Sequence, residues 1–118
     1  MQTAASVAVA LVAGLHVYFL VLEMALWTRP LGRRTFGLTE AFAQQTKALA
    51  ANQGLYNGFL AAGLVWGLTT GRTDVVLFFL GCVVVAGVFG AVTVSRRILV
   101  VQALPAAVAL VLVWLAKG

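Results

Sequence analysis

The stretch VAVALVAGLHVYFLVLEMALW, residues 7–27, decides the fold. It matches the ~20 apolar residues that an α-helix needs to cross a bilayer, and it carries one imidazole, His16, and one carboxylate, Glu23. Placing a carboxylate in a spanning helix costs roughly 2.5–3.5 kcal/mol on insertion scales, so an ionisable residue there marks a candidate functional site. His16 lies about two helical turns before Glu23, which predicts one stripe of His16, Leu20, Glu23 and Trp27 on a single helix face.

The whole chain has the same character. Of its 118 residues 63% are hydrophobic and 9% charged, and its mean hydropathy is +1.05. Soluble domains average about 25% charged residues, so the composition is that of an integral membrane protein. The length fits a single transmembrane domain over residues 1–118. No cationic leader or small-residue cleavage site precedes polar sequence, so the first apolar run reads as a retained helix. The net charge is +5, but the basic residues stand at the ends of apolar runs. They are topology signals and give no nucleic-acid-binding face. Cys82 is alone in an apolar run and has no intramolecular disulfide partner.

Four stretches are long enough to span, at 4–27, 48–68, 74–94 and 98–116. The expected fold is therefore all-α, a polytopic transmembrane four-helix bundle. Arg29-Pro30-Leu31-Gly32-Arg33-Arg34, Thr70-Gly71-Arg72 and Ser95-Arg96-Arg97 separate the runs. Thr39 followed by Glu40 reads as an N-cap with an acidic first turn, so the second helix can begin there as an interfacial stretch. Lysine and arginine split six to two between the two sides. That bias predicts both basic loops in the cytoplasm and both termini outside it. Trp27, Trp66 and Trp114 fall near helix ends, as an aromatic belt places them. Small-residue ridges, Gly54-Gly58-Ala62 and Cys82-Ala86-Gly90, predict close helix contacts within or between chains, and a homo-oligomer is expected.

Orientation gathers the polar residues. Glu23, Asn52, Gln53 and Gln102 should lie in the cytoplasmic half, with His16 and Asn57 nearer the midplane. On the second helix Asn52, Gln53, Tyr56 and Asn57 cover an arc of about 140°. Amides facing hydrocarbon leave unmet hydrogen bonds, so they should turn inward and pair. The resulting expectation is a polar pocket open to the cytoplasm, with membrane lipids around it and a small lipophilic or amphipathic ligand inside. Glu23 would be proton acceptor or charge anchor and His16 its deeper partner. Asn52, Gln53, Tyr56, Asn57, Gln102 and Trp27 would hold the ligand, with Arg96 and Arg97 near the mouth. No metal site is expected, because the His16–Glu23 spacing is about 10 Å along a helix and no HxxxH, ExxH or CxxC pair exists. Nothing in the chain names a cofactor.

His16, Glu23-Met24-x-x-Trp27, Arg33-x-Thr35-Phe36 and the string Ala51-Asn52-Gln53-Gly54-Leu55-Tyr56-Asn57-Gly58-Phe59-Leu60-Ala61 together resemble the small bacterial membrane proteins of the domain of unknown function 1304 family. The likeness covers nearly the whole chain and implies a multi-pass protein of the bacterial inner membrane. It implies no activity. The architecture is also similar to that of the membrane-associated eicosanoid and glutathione metabolism enzymes. Against their Arg-Ala-x-x-Asn-x-x-Glu type motif, however, the glutamate position falls on Gly54. Small multidrug-resistance transporters share the length and a glutamate on the first helix, but their antiparallel dimers need balanced charge on the two sides. Enzyme, proton-coupled transporter using Glu23, and structural or accessory protein are the readings left open.

Overall fold

In the computed structural model, which describes residues 2–117, every regular element among the described residues is helical. They are α1 (Thr3–Met24), α2 (Pro30–Phe36), α3 (Glu40–Thr69), α4 (Thr73–Thr93), a π turn (Leu99–Ala103) and α5 (Leu104–Lys117). Three segments are long and apolar enough to cross a membrane: α1, α4, and the π turn with α5. The expected four helices are thus five, and the expected four apolar spans are three. α3 is the longest helix at 30 residues, about 45 Å at 1.5 Å per residue. Asn52, Gln53, Tyr56 and Asn57 dilute its apolar character, which keeps it from matching the other three.

The turns explain the boundaries. α1 ends at Met24, three residues before the expected Trp27, because the amides of Ala25 and Leu26 both bond to the Val21 carbonyl and unwind the last turn. Arg29 is extended, as a residue before proline should be, and Pro30 opens α2 where its missing N–H costs nothing. Gly37 ends α2 in the left-handed region at φ 66°. The amides of Gly37 and Leu38 converge on the Arg33 carbonyl, a glycine-dependent helix stop. Thr39 caps α3 as expected, its hydroxyl accepting from the Phe42 amide at 3.2 Å. The last span contains a feature that apolar periodicity hides. Pro105 has no N–H to give the Val101 carbonyl and its ring crowds that carbonyl. The ladder shifts, the Leu104 amide bonds to the Leu99 carbonyl, and a π turn replaces straight helix.

The chain divides into two units, Gly14–Phe59 and the remainder. In the remainder a core of Ala5, Val9, Val12, Leu64, Val76, Leu80, Val83, Ala106, Ala109 and Val113 joins the N-terminal part of α1, the end of α3, α4 and α5. α4 meets its neighbours along Val76, Leu80, Val83 and Gly87, one residue around from the expected Cys82-Ala86-Gly90 ridge, of which Gly90 does pack closely: a Cβ there would stand 3.1 Å from Ile98 Cγ2. A Cβ on Gly87 would stand 2.7 Å from the Ala103 amide nitrogen, so only glycine fits against the π turn. Ala86 is exposed. At the far end of α5, Lys117 Nζ lies 4.0 Å over the ring of exposed Trp114.

In the unit Gly14–Phe59, α3 lies on α1 through glycine. A Cβ on Gly54 would stand 3.2 Å from the Leu20 carbonyl and one on Gly58 2.8 Å from Leu20 Cδ1. This part of the expected ridge packs as read. α2 docks through Gly32, whose missing Cβ would collide with the backbone carbonyl of Leu26. Gly32→Ala should therefore undock α2 and lower stability by about 1–3 kcal/mol, the usual range for overpacking against backbone. The midpoint of a denaturing-detergent titration checks this, and an unchanged midpoint would show that α2 is not held there.

Candidate functional site

The site is built where the last turn of α1 faces the middle of α3. Gly54 is buried and brings the two backbones close enough that its Cβ, if present, would stand 3.3 Å from Glu23 Cβ. Asn57 follows Gly54 by three residues, on the flank of the same contact. Its Nδ2 donates a hydrogen bond to Glu23 Oε1. Both residues are half-buried. A carboxylate in the last turn of an apolar helix is thereby met by a donor from another helix, which is how a polar pair is kept within a membrane protein.

Below the pair, His16 is fully buried. Its ring meets the edge of Phe19 with centroids 5.3 Å apart. Two helical turns separate it from Glu23, about 10 Å along α1, so any link between the two passes through a third group. Above the pair, Trp27 is off the expected stripe because α1 has already ended. Its indole Nε1 donates to Thr46 Oγ1 at 3.0 Å, and its ring centroid lies 4.9 Å from that of Phe36. Trp27 therefore ties the α1–α2 turn to α3. Phe36 stands out in the sequence only through the family resemblance, and Thr46 not at all, since neither is charged nor unusual for its setting.

Asn52 and Tyr56 are exposed on the side of α3 opposite Gly54, and Gln53 is exposed on its flank, one turn before Asn57. In the other unit Gln102 is half-buried within the π turn, and Arg96 and Arg97 are exposed between α4 and that turn. Among the described residues no group of three or more His, Cys, Asp or Glu side chains is placed to hold a metal ion. The chemistry that the local geometry offers is that of a carboxylate with one oxygen engaged by an amide: accepting a proton, or anchoring a cation.

One comparison with known proteins gives a match. The family described as protein of unknown function (DUF1304) matches residues 10–114. No curated protein and no solved structure matches the chain.

Proposed function

We propose a ligand-binding role for this chain, which belongs to the DUF1304 family of proteins of unknown function. α1, α3, α4 and the π turn with α5 cross the bacterial inner membrane as a four-helix bundle. α2 and the first turns of α3 lie at the cytoplasmic surface, and both termini lie outside the cytoplasm. The placement of Arg29, Arg33, Arg34, Lys47, Arg96 and Arg97 supports that orientation. The length of α3 supports a fourth crossing despite its amides.

The observation that carries the function is the Glu23–Asn57 hydrogen bond. Ionisable residues within a spanning helix usually line a pathway or a pocket, and Glu23 stands in the last turn of one. Glu23 acts as proton acceptor or charge anchor for a small lipophilic or amphipathic molecule that enters from the cytoplasmic side, with Trp27 at the rim. Asn52 and Tyr56, turned away from Glu23, together with Gln53 on the flank contribute polar groups for a second copy of the chain, since amides facing lipid need partners. A homo-oligomer follows from that need.

Native mass spectrometry of wild type and Glu23→Gln in mild detergent tests the reading. A defined non-lipid adduct should accompany the wild type and fall at least about tenfold in the variant, with oligomer mass unchanged. No adduct on wild type, together with an oligomer that dissociates in the variant, would make Glu23 a purely structural residue.

A further inference from the structure

We infer that α2 and the turn before it form a binding platform for the phosphate headgroup of anionic phospholipids, a site separate from the Glu23–Asn57 pair. Arg29 is the extended N-cap of α2, Arg33 lies one turn on with its amide bonded to the Arg29 carbonyl at 2.9 Å, and Arg34 follows it, so three guanidinium groups are gathered within six residues. Among the described residues the single ion pair is Arg72–Asp74, so none of these three guanidinium groups is neutralised by a carboxylate. The Arg33 Nε is buried without a hydrogen-bond partner, so an anion bound at the outer nitrogens of that guanidinium would offset a charge that the protein leaves unmet. The planar guanidinium group fits a phosphate bidentately.

The platform is rigid, which a mere topology signal does not require. Gly32 seats α2 on the Leu26 carbonyl. Phe36 packs on Trp27, and Trp27 is fixed to Thr46. Gly37 closes the helix in a left-handed turn. On the same short helix Leu31 and Phe36 expose 46% and 40% of their surfaces. Cations beside exposed apolar side chains, next to the end of a spanning helix, match the boundary where headgroups meet acyl chains. Charge complementarity selects anionic over zwitterionic lipid.

The test uses the full chain re-extracted from vesicles of equimolar phosphatidylglycerol and phosphatidylcholine with matched acyl chains, with retained lipids counted by mass spectrometry. The wild type should retain phosphatidylglycerol over phosphatidylcholine by roughly tenfold, given the attraction of a few surface cations to anionic lipid. Arg29→Gln/Arg33→Gln should bring the ratio within about twofold of unity, while Arg96→Gln/Arg97→Gln should leave it unchanged. If the first variant cannot be extracted folded, Arg29→Lys/Arg33→Lys decides, because it keeps the charge and loses the fork: the ratio should fall at least about threefold. Equal retention of the two lipids by wild type would overturn the platform, as would a ratio untouched by changes at Arg29 and Arg33. Displacement of the retained lipid by excess inorganic phosphate would reassign the site to a free anion.

Discussion

Gly54→Leu is expected to lower stability by about 2–3 kcal/mol and to abolish ligand retention, whereas Gly54→Ala should stay within about 1 kcal/mol of wild type. The difference comes from what a side chain would meet. A Cβ at position 54 would lie 2.5 Å from Met24 Cγ, 3.2 Å from the Leu20 carbonyl oxygen and 3.3 Å from Glu23 Cβ. The methionine can swing aside, so a methyl group asks the α1–α3 contact for only a few tenths of an ångström. Alanine's better helix propensity offsets part of that strain. Leucine adds three more carbons against a backbone carbonyl that cannot move by rotamer change, so the helices must part or rotate. Asn57, one turn further on, then loses its reach to Glu23. Gly14 supplies the control, because nothing lies within 4 Å of where its Cβ would be. Gly14→Leu should change the denaturing-detergent midpoint by less than about 0.5 kcal/mol equivalent. Equal effects at positions 14 and 54 would mean that the close approach seen at Gly54 has no energetic weight.

That contrast also shows where the sequence is informative. Long apolar runs make helices legible, because length and hydropathy are properties of the run alone. Thr39-Glu40 signals the start of α3 for the same local reason: a hydroxyl that caps and a carboxylate that favours the first turn. α2 escapes notice because a seven-residue helix holding Pro30, Gly32 and two arginines carries the composition of a loop. Pro30 and Gly37 mark its ends, but its seat against the chain before it depends on Gly32 meeting the Leu26 carbonyl, which composition does not reveal. The π turn is different in kind: Pro105 stands in plain view, but apolar periodicity continues through it and conceals the shifted ladder. At the site, Glu23 is legible as a costly residue, while its partner is not. Asn52, Gln53, Tyr56 and Asn57 are equivalent as an arc. Which one reaches α1 depends on which ridge packs, and Gly54 places itself inward with Asn57 about 60° to one side. Asn52 and Tyr56 are then carried to the opposite face, where both are exposed.

The Glu23–Asn57 bond should carry a coupling energy of about 1.5–3 kcal/mol in a double-mutant cycle built from Glu23→Ala and Asn57→Ala. Two magnitudes compete here. Neutral hydrogen bonds between membrane helices average only about 0.6 kcal/mol, because the unfolded chain in the membrane also finds partners. Bonds to a charged acceptor are worth about 1.5–3 kcal/mol. A charge anchor is ionised, so its bond to the Asn57 amide belongs to the second class. Glu23→Gln separates the two cases with almost no change of shape. The substituted amide still offers an oxygen to Asn57 Nδ2, but without charge, so the coupling should fall to about 0.6 kcal/mol. Asn57→Ala by itself should cost more than the coupling, since it leaves a half-buried carboxylate without its donor. A cycle that returns about 0.6 kcal/mol for both the carboxylate and its amide replacement would identify an ordinary interhelical hydrogen bond. In that event Glu23 holds helices together, and the ligand reading loses the observation on which it stands.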